Sequence, residues 1–407
     1  MSLTSKLHKP DSQISRFFIE NFPARDAEAD LWNEIEALKN EFSRQTVMDI
    51  HIDSMEKALA RAKSLIFTVL GTLASKGISP KNADPGHGIG HMVRDYVHAF
   101  GLVPNTVDAT PQDVFVGLIG GVLHDIGCAV VERYQEPTRV IRHAEVGALM
   151  VGDILSALGV PETERLAIMY AIAAHTNYLK ESEVLCEDGK VRRITPYKDS
   201  DEHGPIMAVQ FPRWVDRLDL IGPTIVGRHL LTLTHPHKDY GAGGFYEVEF
   251  EQHLIPSLRP LTEIMASNKP VTMLEHLATV AELGGGITPY NQYDRSPMVE
   301  VRDQHRAATK RIIDAVLHGD AGAGDPSYAW WNFLRRNIEP STNGGKAASI
   351  IELEFAALPK DVRVAWTRGF IATMEEYKRW FEDTRSLRFD PEIPFLGDVY
   401  SVLTPVF

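Results

Sequence analysis

The stretch LIGGVLHDIGCAV, residues 118–130, constrains the fold most, because it sets a histidine and an aspartate side by side inside an apolar run. A helix with so many apolar side chains is expected to be buried. A buried carboxylate is costly unless it is paired or bound to a metal. The question is therefore what His124 and Asp125 bind inside this helix.

Four further side chains of metal-ligating type lie in the same helical region, each at or near the end of an apolar stretch: His91, His143, His175 and Asp216. With the central pair they supply four imidazoles and two carboxylates, which suit one or two divalent ions of Mn, Fe, Mg, Ni, Co or Zn. Adjacent residues differ by about 100° around a helix, so His124 and Asp125 can both reach a cation held against it. The sequence therefore predicts that the pair is buried because it coordinates a cation.

Helical periodicity dominates the chain and predicts an all-α fold. Residues 26–75 and most of 88–235 place apolar side chains at helical intervals, and helices resume after residue 250. In EVLCEDGKVRRIT (183–195) an Asp-Gly pair separates two extended segments, which predicts one small hairpin insertion. A second non-helical patch, residues 235–250, is expected to end in a strand.

Breaks in this pattern divide the chain into three expected parts. Residues 1–80 form an N-terminal helical arm, residues 81–235 the metal-binding catalytic core, and residues 236–407 a helical C-terminal extension. The extension carries enough apolar surface to act as a cap over the core or as the interface of a homodimer.

The charge balance excludes several classes of partner. The chain has 407 residues with 55 acidic and 42 basic side chains, and its net charge is −13. Such an acidic chain is a poor match for a nucleic acid polymer or an anionic membrane, and neither is expected as a partner. A phosphate-containing substrate remains compatible, because a bound metal reverses the local field.

Cysteine content and the N-terminus both favour a cytoplasmic location. The two cysteines, Cys128 and Cys186, do not suggest a disulfide framework. Residues 1–18 lack the apolar core of a signal peptide. No apolar run is expected to approach the ~20 residues that cross a bilayer.

The order of the candidate ligands and the motifs around them resemble the HD-domain superfamily of metal-dependent phosphohydrolases. HGIGHMVR (87–94) is similar to that family's opening histidine motif, and VLHDIG (122–127) to its central motif. HAEVGA (143–148) and AAHT (173–176) resemble the extra histidine positions of its binuclear branch, which includes cyclic-dinucleotide phosphodiesterases. The resemblance covers about residues 84–220 and implies a helical core on which ligands converge from several helices.

The resemblance also implies a role for each residue. A first metal would be held by His91, His124, Asp125 and Asp216, and a second would be completed by His143 and His175, with Asp125 bridging the two. His87 and Arg94 flank the first ligand and are candidate catalytic residues that would contact phosphate, together with Asp125. Arg217 and Asp219 are further candidates for contacting substrate or supporting a ligand.

The sequence departs from the family in two places. Cys128 stands where many binuclear phosphodiesterases have a lysine, which removes a cation that could pair with phosphate. Because it follows a buried helical segment, Cys128 is predicted to be a structural thiol. TNYLKESEV follows His175 in place of the GYP-containing stretch, so hydrolysis of cyclic-di-GMP is not implied.

Three functions follow from this reading. The expected one is a phosphohydrolase or phosphodiesterase that uses metal-activated water on a small phosphorylated molecule such as a nucleotide. The alternative is a di-iron oxygenase, because inositol oxygenase-like members of the superfamily hold two irons with the same ligand set. The missing lysine favours this alternative, whereas base rates in the superfamily favour hydrolysis. A second alternative is a non-catalytic regulatory module that retains the metal site.

Overall fold

The structure is a computed structural model, and it divides the chain into two compact units. The first consists of Met1–Asp84 with Ala99–Asp216, and the second of Pro85–His98 with Arg217–Phe407. The structure describes residues 13–22, 28–80, 83, 87–106, 108–131, 139–175, 182–185, 191–194, 197, 206–221, 248–249, 271–272 and 303.

Ten helices and four short strands are present among the described residues. The helices are α1 (Gln13–Asn21), α2 (Glu28–Glu41), α3 (Arg44–Met48), α4 (Met55–Ser75), α5 (Ile89–Leu102), α6 (Pro111–Leu123), α7 (Cys128–Val131), α8 (Arg139–Ala157), α9 (Glu162–Ala173) and α10 (Met207–Ile221). A 3₁₀ turn, Val103–Asn105, follows α5. The strands are β1 (Ser182–Leu185), β2 (Val191–Ile194), β3 (Val248–Glu249) and β4 (Val271–Thr272).

The predominance of helix confirms the all-α prediction. The predicted hairpin is confirmed as well, because β1 pairs antiparallel with β2 from Ser182 opposite Ile194 to Leu185 opposite Val191. The strand expected at the end of residues 235–250 is β3, which pairs in parallel with β4. Most of the predicted C-terminal extension lies outside the described residues, and the division at residues 80 and 235 stays a prediction.

Helix α6 begins at a capping box and runs through the core of the first unit. The Thr110 hydroxyl accepts a hydrogen bond from the Asp113 amide at 3.2 Å, and the Asp113 carboxylate accepts one from the Thr110 amide at 3.2 Å. This reciprocal pair satisfies two of the amide groups that a helix N-terminus leaves open. Every residue from Asp113 to Leu123 is buried, so the helix delivers His124 into the interior.

The expectation that no apolar run is long enough to cross a membrane was wrong. Two helical stretches, Met55–Ser75 and Pro111–Val131, are each 21 residues long and pass that test by length and composition. The apolar part of Pro111–Val131 is wholly buried inside the protein, and that of Met55–Ser75 is one third buried. Burial in the core accounts for the apolar character of Pro111–Val131, since a helix that is hydrophobic all round is a core helix.

Glycines let α10 approach α6 closely within the first unit. A Cβ atom added at Gly117 would lie 2.8 Å from the Cβ of Phe211, and one added at Gly120 would lie 2.8 Å from the Cγ of Pro212. Both distances are too short for carbon atoms in contact, which prefer about 3.5–4.0 Å. The missing side chains on α6 therefore set the spacing of these two helices.

A buried polar cluster ties α2 to α8. The Tyr197 hydroxyl donates a hydrogen bond of 2.9 Å to Glu145 Oε1 on α8. The Lys39 ammonium from α2 lies 3.9 Å from the same carboxylate oxygen and 4.7 Å from the centre of the Tyr197 ring. All three side chains are buried, and the charge of Lys39 is compensated by Glu145 together with Glu36, whose Oε1 lies 3.4 Å from the ammonium.

Candidate metal centre

The first unit contains all of the predicted metal ligands except His91, and each of them is buried. They are His124, which caps the C-terminus of α6, Asp125 in the turn that follows, His143 on α8, His175 just after α9, and Asp216 on α10. Several helices thus bring candidate metal ligands together in this unit.

Gly127 allows α8 to approach the turn that carries Asp125. A Cβ atom at position 127 would overlap the carbonyl oxygen of His143 and would lie 2.7 Å from the amide nitrogen of Gly147. The turn itself is held by a hydrogen bond of 2.9 Å from the Cys128 amide to the Asp125 carbonyl. A glycine is therefore required at this position for His143 to reach Asp125.

The carboxylate of Asp125 lies between imidazoles on two sides. Its Oδ1 is 3.1 Å from His143 Nε2 and 3.5 Å from His175 Nε2. Its Oδ2 is 3.4 Å from His124 Nε2. Two oxygens of one carboxylate that face different imidazoles have the arrangement in which a carboxylate can bridge two cations.

Backbone carbonyls orient two of the imidazoles. His124 Nδ1 donates a hydrogen bond of 2.8 Å to the Gly121 carbonyl, and His175 Nδ1 donates one of 2.7 Å to the Ile172 carbonyl. Because a carbonyl only accepts, each Nδ1 carries a hydrogen, and in the neutral ring each Nε2 is a lone-pair acceptor. Metal-ligating histidines usually donate their other ring hydrogen in this way, and both Nε2 acceptors lie within 3.5 Å of the Asp125 carboxylate.

The imidazole of His175 is uncharged near neutral pH. Burial, followed by the neighbouring His124, lowers the pKa of His175 to about 4. His143 Nε2 lies 3.1 Å from His175 Nε2 and 3.1 Å from Asp125 Oδ1, and imidazole nitrogens that converge on a carboxylate in this way are the donors that a divalent cation binds. The donor set therefore fits a divalent metal ion.

Asp216 joins this group through the packing of α10 on α6. It lies four residues after Pro212, which meets Gly120, and its Oδ1 is 3.8 Å from His124 Nε2. Residues four apart lie on the same face of a helix. The close helix spacing set by glycine therefore also places the carboxylate of Asp216 beside His124.

Cys128 is also part of the cluster, although the sequence was interpreted to give it a structural role. Its thiol lies with a ligand atom of Asp125 and one of His143, all within 4.8 Å of one another. The side chain is buried, with 1 % of its surface exposed. Its spacing of three residues from Asp125, which places the two side chains on one face of a helical turn, was the available sequence signal.

The second unit contains a different buried cluster, built around His91. His91 Nδ1 lies 2.8 Å from Asp219 Oδ2, and its Nε2 lies 3.0 Å from Asp95 Oδ2. The Arg94 guanidinium donates two hydrogen bonds to Asp219, of 2.6 and 2.9 Å. Burial raises the pKa of Asp219, but the charge of Arg94 and the hydrogen bond with His91 outweigh it and hold that pKa well below its usual range.

Several residues that the sequence singled out contact one another in this cluster. Asp219 contacts His91, as expected for a residue that supports a ligand, while Asp95 was missed although it lies four residues after His91. The fully buried Arg94 binds Asp219, so its predicted contact with phosphate stays a prediction. His87 is partly buried, with its ring centre 6.2 Å from that of His91.

Comparison of the chain with protein-family models, curated proteins and solved structures finds no match. The resemblance to the HD-domain superfamily therefore rests on its sequence motifs alone.

Proposed function

We propose that the protein is a metal-dependent hydrolase of the HD-domain type that cleaves a phosphoester bond of a small phosphorylated molecule such as a nucleotide. The observation that carries this proposal is the buried Asp125 carboxylate, whose oxygens face His124 on one side and His143 and His175 on the other. This donor set suits two divalent cations that share Asp125.

A bound divalent cation would lower the pKa of a coordinated water toward neutrality and polarise a phosphoryl oxygen. The role of the chain's own residues would be to hold the cation and to orient the side chains that bind it. The carbonyls of Gly121 and Ile172 fix the ring nitrogens of His124 and His175, so their lone pairs stay aimed at the site. Asp125 joins the two groups of imidazoles, because its Oδ1 faces His143 and His175 and its Oδ2 faces His124. The buried surroundings exclude water and thereby strengthen each electrostatic contact.

The second candidate is a di-iron oxygenase. It is favoured by the predominance of imidazole in the donor set, since imidazole suits iron. It is also favoured by Cys128, which stands where many phosphodiesterases of the binuclear HD-domain branch have a lysine that could pair with phosphate. The identity of the resident metal and the consumption of oxygen distinguish this candidate from the hydrolase.

The test begins with protein purified without added metal or chelator, in which metals are counted per chain by elemental mass spectrometry. The same protein is then assayed for cleavage of bis(p-nitrophenyl) phosphate and for oxygen consumption. Asp125→Asn should lose metal and activity together, because it removes the shared negative ligand. His51→Ala, at an exposed histidine, is the matched control and should keep both.

The possible outcomes separate the three functions. One or two ions of Mn, Ni, Co, Mg or Zn with phosphodiester cleavage support the hydrolase. Two irons with oxygen consumption support the oxygenase and overturn hydrolysis. Bound metal with neither activity supports the regulatory module. A protein that neither contains nor takes up metal overturns the site. His91→Ala, measured in the same way, tests the prediction that His91 is also a ligand.

A further inference from the structure

We infer that Cys128 is a thiolate ligand of the cation held by Asp125 and His143, and that it makes this half of the site select zinc, iron or cobalt over magnesium. The inference deepens the proposed function, because it rests on the same buried metal site. It replaces the structural role that the sequence suggested for the thiol with a role in metal selection.

The three ligand atoms lie near enough to one another to share one cation after a small adjustment. The Cys128 sulfur, a carboxylate oxygen of Asp125 and a ring nitrogen of His143 lie within 4.8 Å of one another. Zinc–sulfur bonds are about 2.3 Å long and zinc–nitrogen bonds about 2.1 Å, so at the tetrahedral angle two such ligands are about 3.6 Å apart across a shared ion. Small side-chain rotations are therefore sufficient to close the site around a cation.

The local backbone explains why the sulfur lies on this side of the cluster. The Cys128 amide is hydrogen-bonded to the Asp125 carbonyl, which folds the chain back so that the two side chains share one turn. Gly127 lies between them and has no Cβ atom, which lets α8 approach closely. A Cβ atom at position 127 would overlap the His143 carbonyl. The same close approach that brings His143 to Asp125 thus brings it to Cys128.

Burial makes the thiol selective among metal ions. With 1 % of its surface exposed, Cys128 could carry a negative charge only beside a cation, because an isolated buried charge is strongly disfavoured. Metal binding would form a sulfur–metal bond and release the thiol proton to solvent. Thiolate favours zinc, iron and cobalt, whereas magnesium prefers oxygen ligands and retains its waters.

The experiment loads the full-length protein with Co²⁺ and records its absorption spectrum. We expect a sulfur-to-cobalt charge-transfer band in the wild type that is absent from Cys128→Ser at the same cobalt content. Cys186→Ser is the matched control, since Cys186 is the other cysteine of the chain, and it should keep the band. Removal of residues that only support a ligand costs ten- to a hundredfold in metal affinity, so we expect Cys128→Ser to weaken Co²⁺ binding by at least about tenfold.

A second measurement does not depend on a Cys128 variant that folds. X-ray absorption at the zinc edge of the Zn²⁺-loaded Cys186→Ser protein should show a sulfur neighbour at about 2.3 Å. A spectrum with nitrogen and oxygen neighbours alone, or a charge-transfer band that survives in Cys128→Ser, overturns the inference while leaving the metal site intact. Failure to bind any metal overturns the proposed function as well.

Discussion

The substitution Gly127→Ala tests whether the close approach of α8 builds the metal centre. The added methyl group would overlap the carbonyl oxygen of His143 and would press on the backbone of Gly147. Both obstacles are backbone atoms of a helix, so neither can rotate away as a side chain could. Either α8 moves, which separates His143 from Asp125, or the turn that carries Asp125 distorts.

The expected size of the effect follows from this geometry. Overpacking of a buried site costs typically about 1–3 kcal/mol in the free energy of unfolding, and rigid backbone neighbours place this case at the upper end. The chain offers a matched control in Gly71→Ala, which lies inside α4, where a Cβ atom meets nothing within 4 Å. The control should stabilise the protein by about 0.5–1 kcal/mol, because alanine is the better helix former.

Urea unfolding of the wild type and both variants measures this difference, first without metal and then with saturating Co²⁺ or Zn²⁺. Metal should stabilise the wild type and Gly71→Ala, since it binds the folded state, and should stabilise Gly127→Ala much less. The reasoning would be refuted by a Gly127→Ala protein that matches the wild type in both stability and metal content.

Three further predictions concern buried charges. Glu145→Ala should lower the free energy of unfolding by about 1.5–3 kcal/mol, because it removes the hydrogen bond from Tyr197 and one of two carboxylates beside the buried Lys39, while Glu36 remains 3.4 Å from that ammonium; an unchanged midpoint in urea unfolding would contradict this. Asp219→Ala should cost about 3–5 kcal/mol, because it removes the carboxylate that accepts two hydrogen bonds from the buried Arg94 guanidinium, and an unchanged unfolding midpoint would argue against the pair. Because the pKa of His175 is lowered to about 4, the unfolded metal-free protein binds the proton more readily, so stability should fall as pH drops from about 6.5 to 4, by up to about 3 kcal/mol; His175→Gln should flatten that part of the profile, and an unaltered profile would refute the assignment.

Much of the fold was predictable because its signals are local. Apolar spacing along α6, α8 and α9 marks these helices, and the Asp188-Gly189 pair marks the β1–β2 hairpin. His124 and Asp125 were recognisable as a site because two polar side chains in a wholly apolar run need a specific reason to be buried. Such inferences use residues within one or two turns of each other, where geometry follows directly from spacing.

Local spacing along the chain was thus enough to predict the helices and most of the candidate ligands, while tertiary packing decided which of these side chains meet. That His143 and His175 both face Oδ1 of Asp125 depends on how α8 and the end of α9 pack, and Gly127 decides how near α8 can come. Cys128 lies three residues after Asp125, but only its distance to His143 shows that the thiol belongs to this cluster. The pairing of His91 with Asp219, far apart in sequence, likewise depends on packing between helices, because spacing along a chain carries no information about which helix faces will meet.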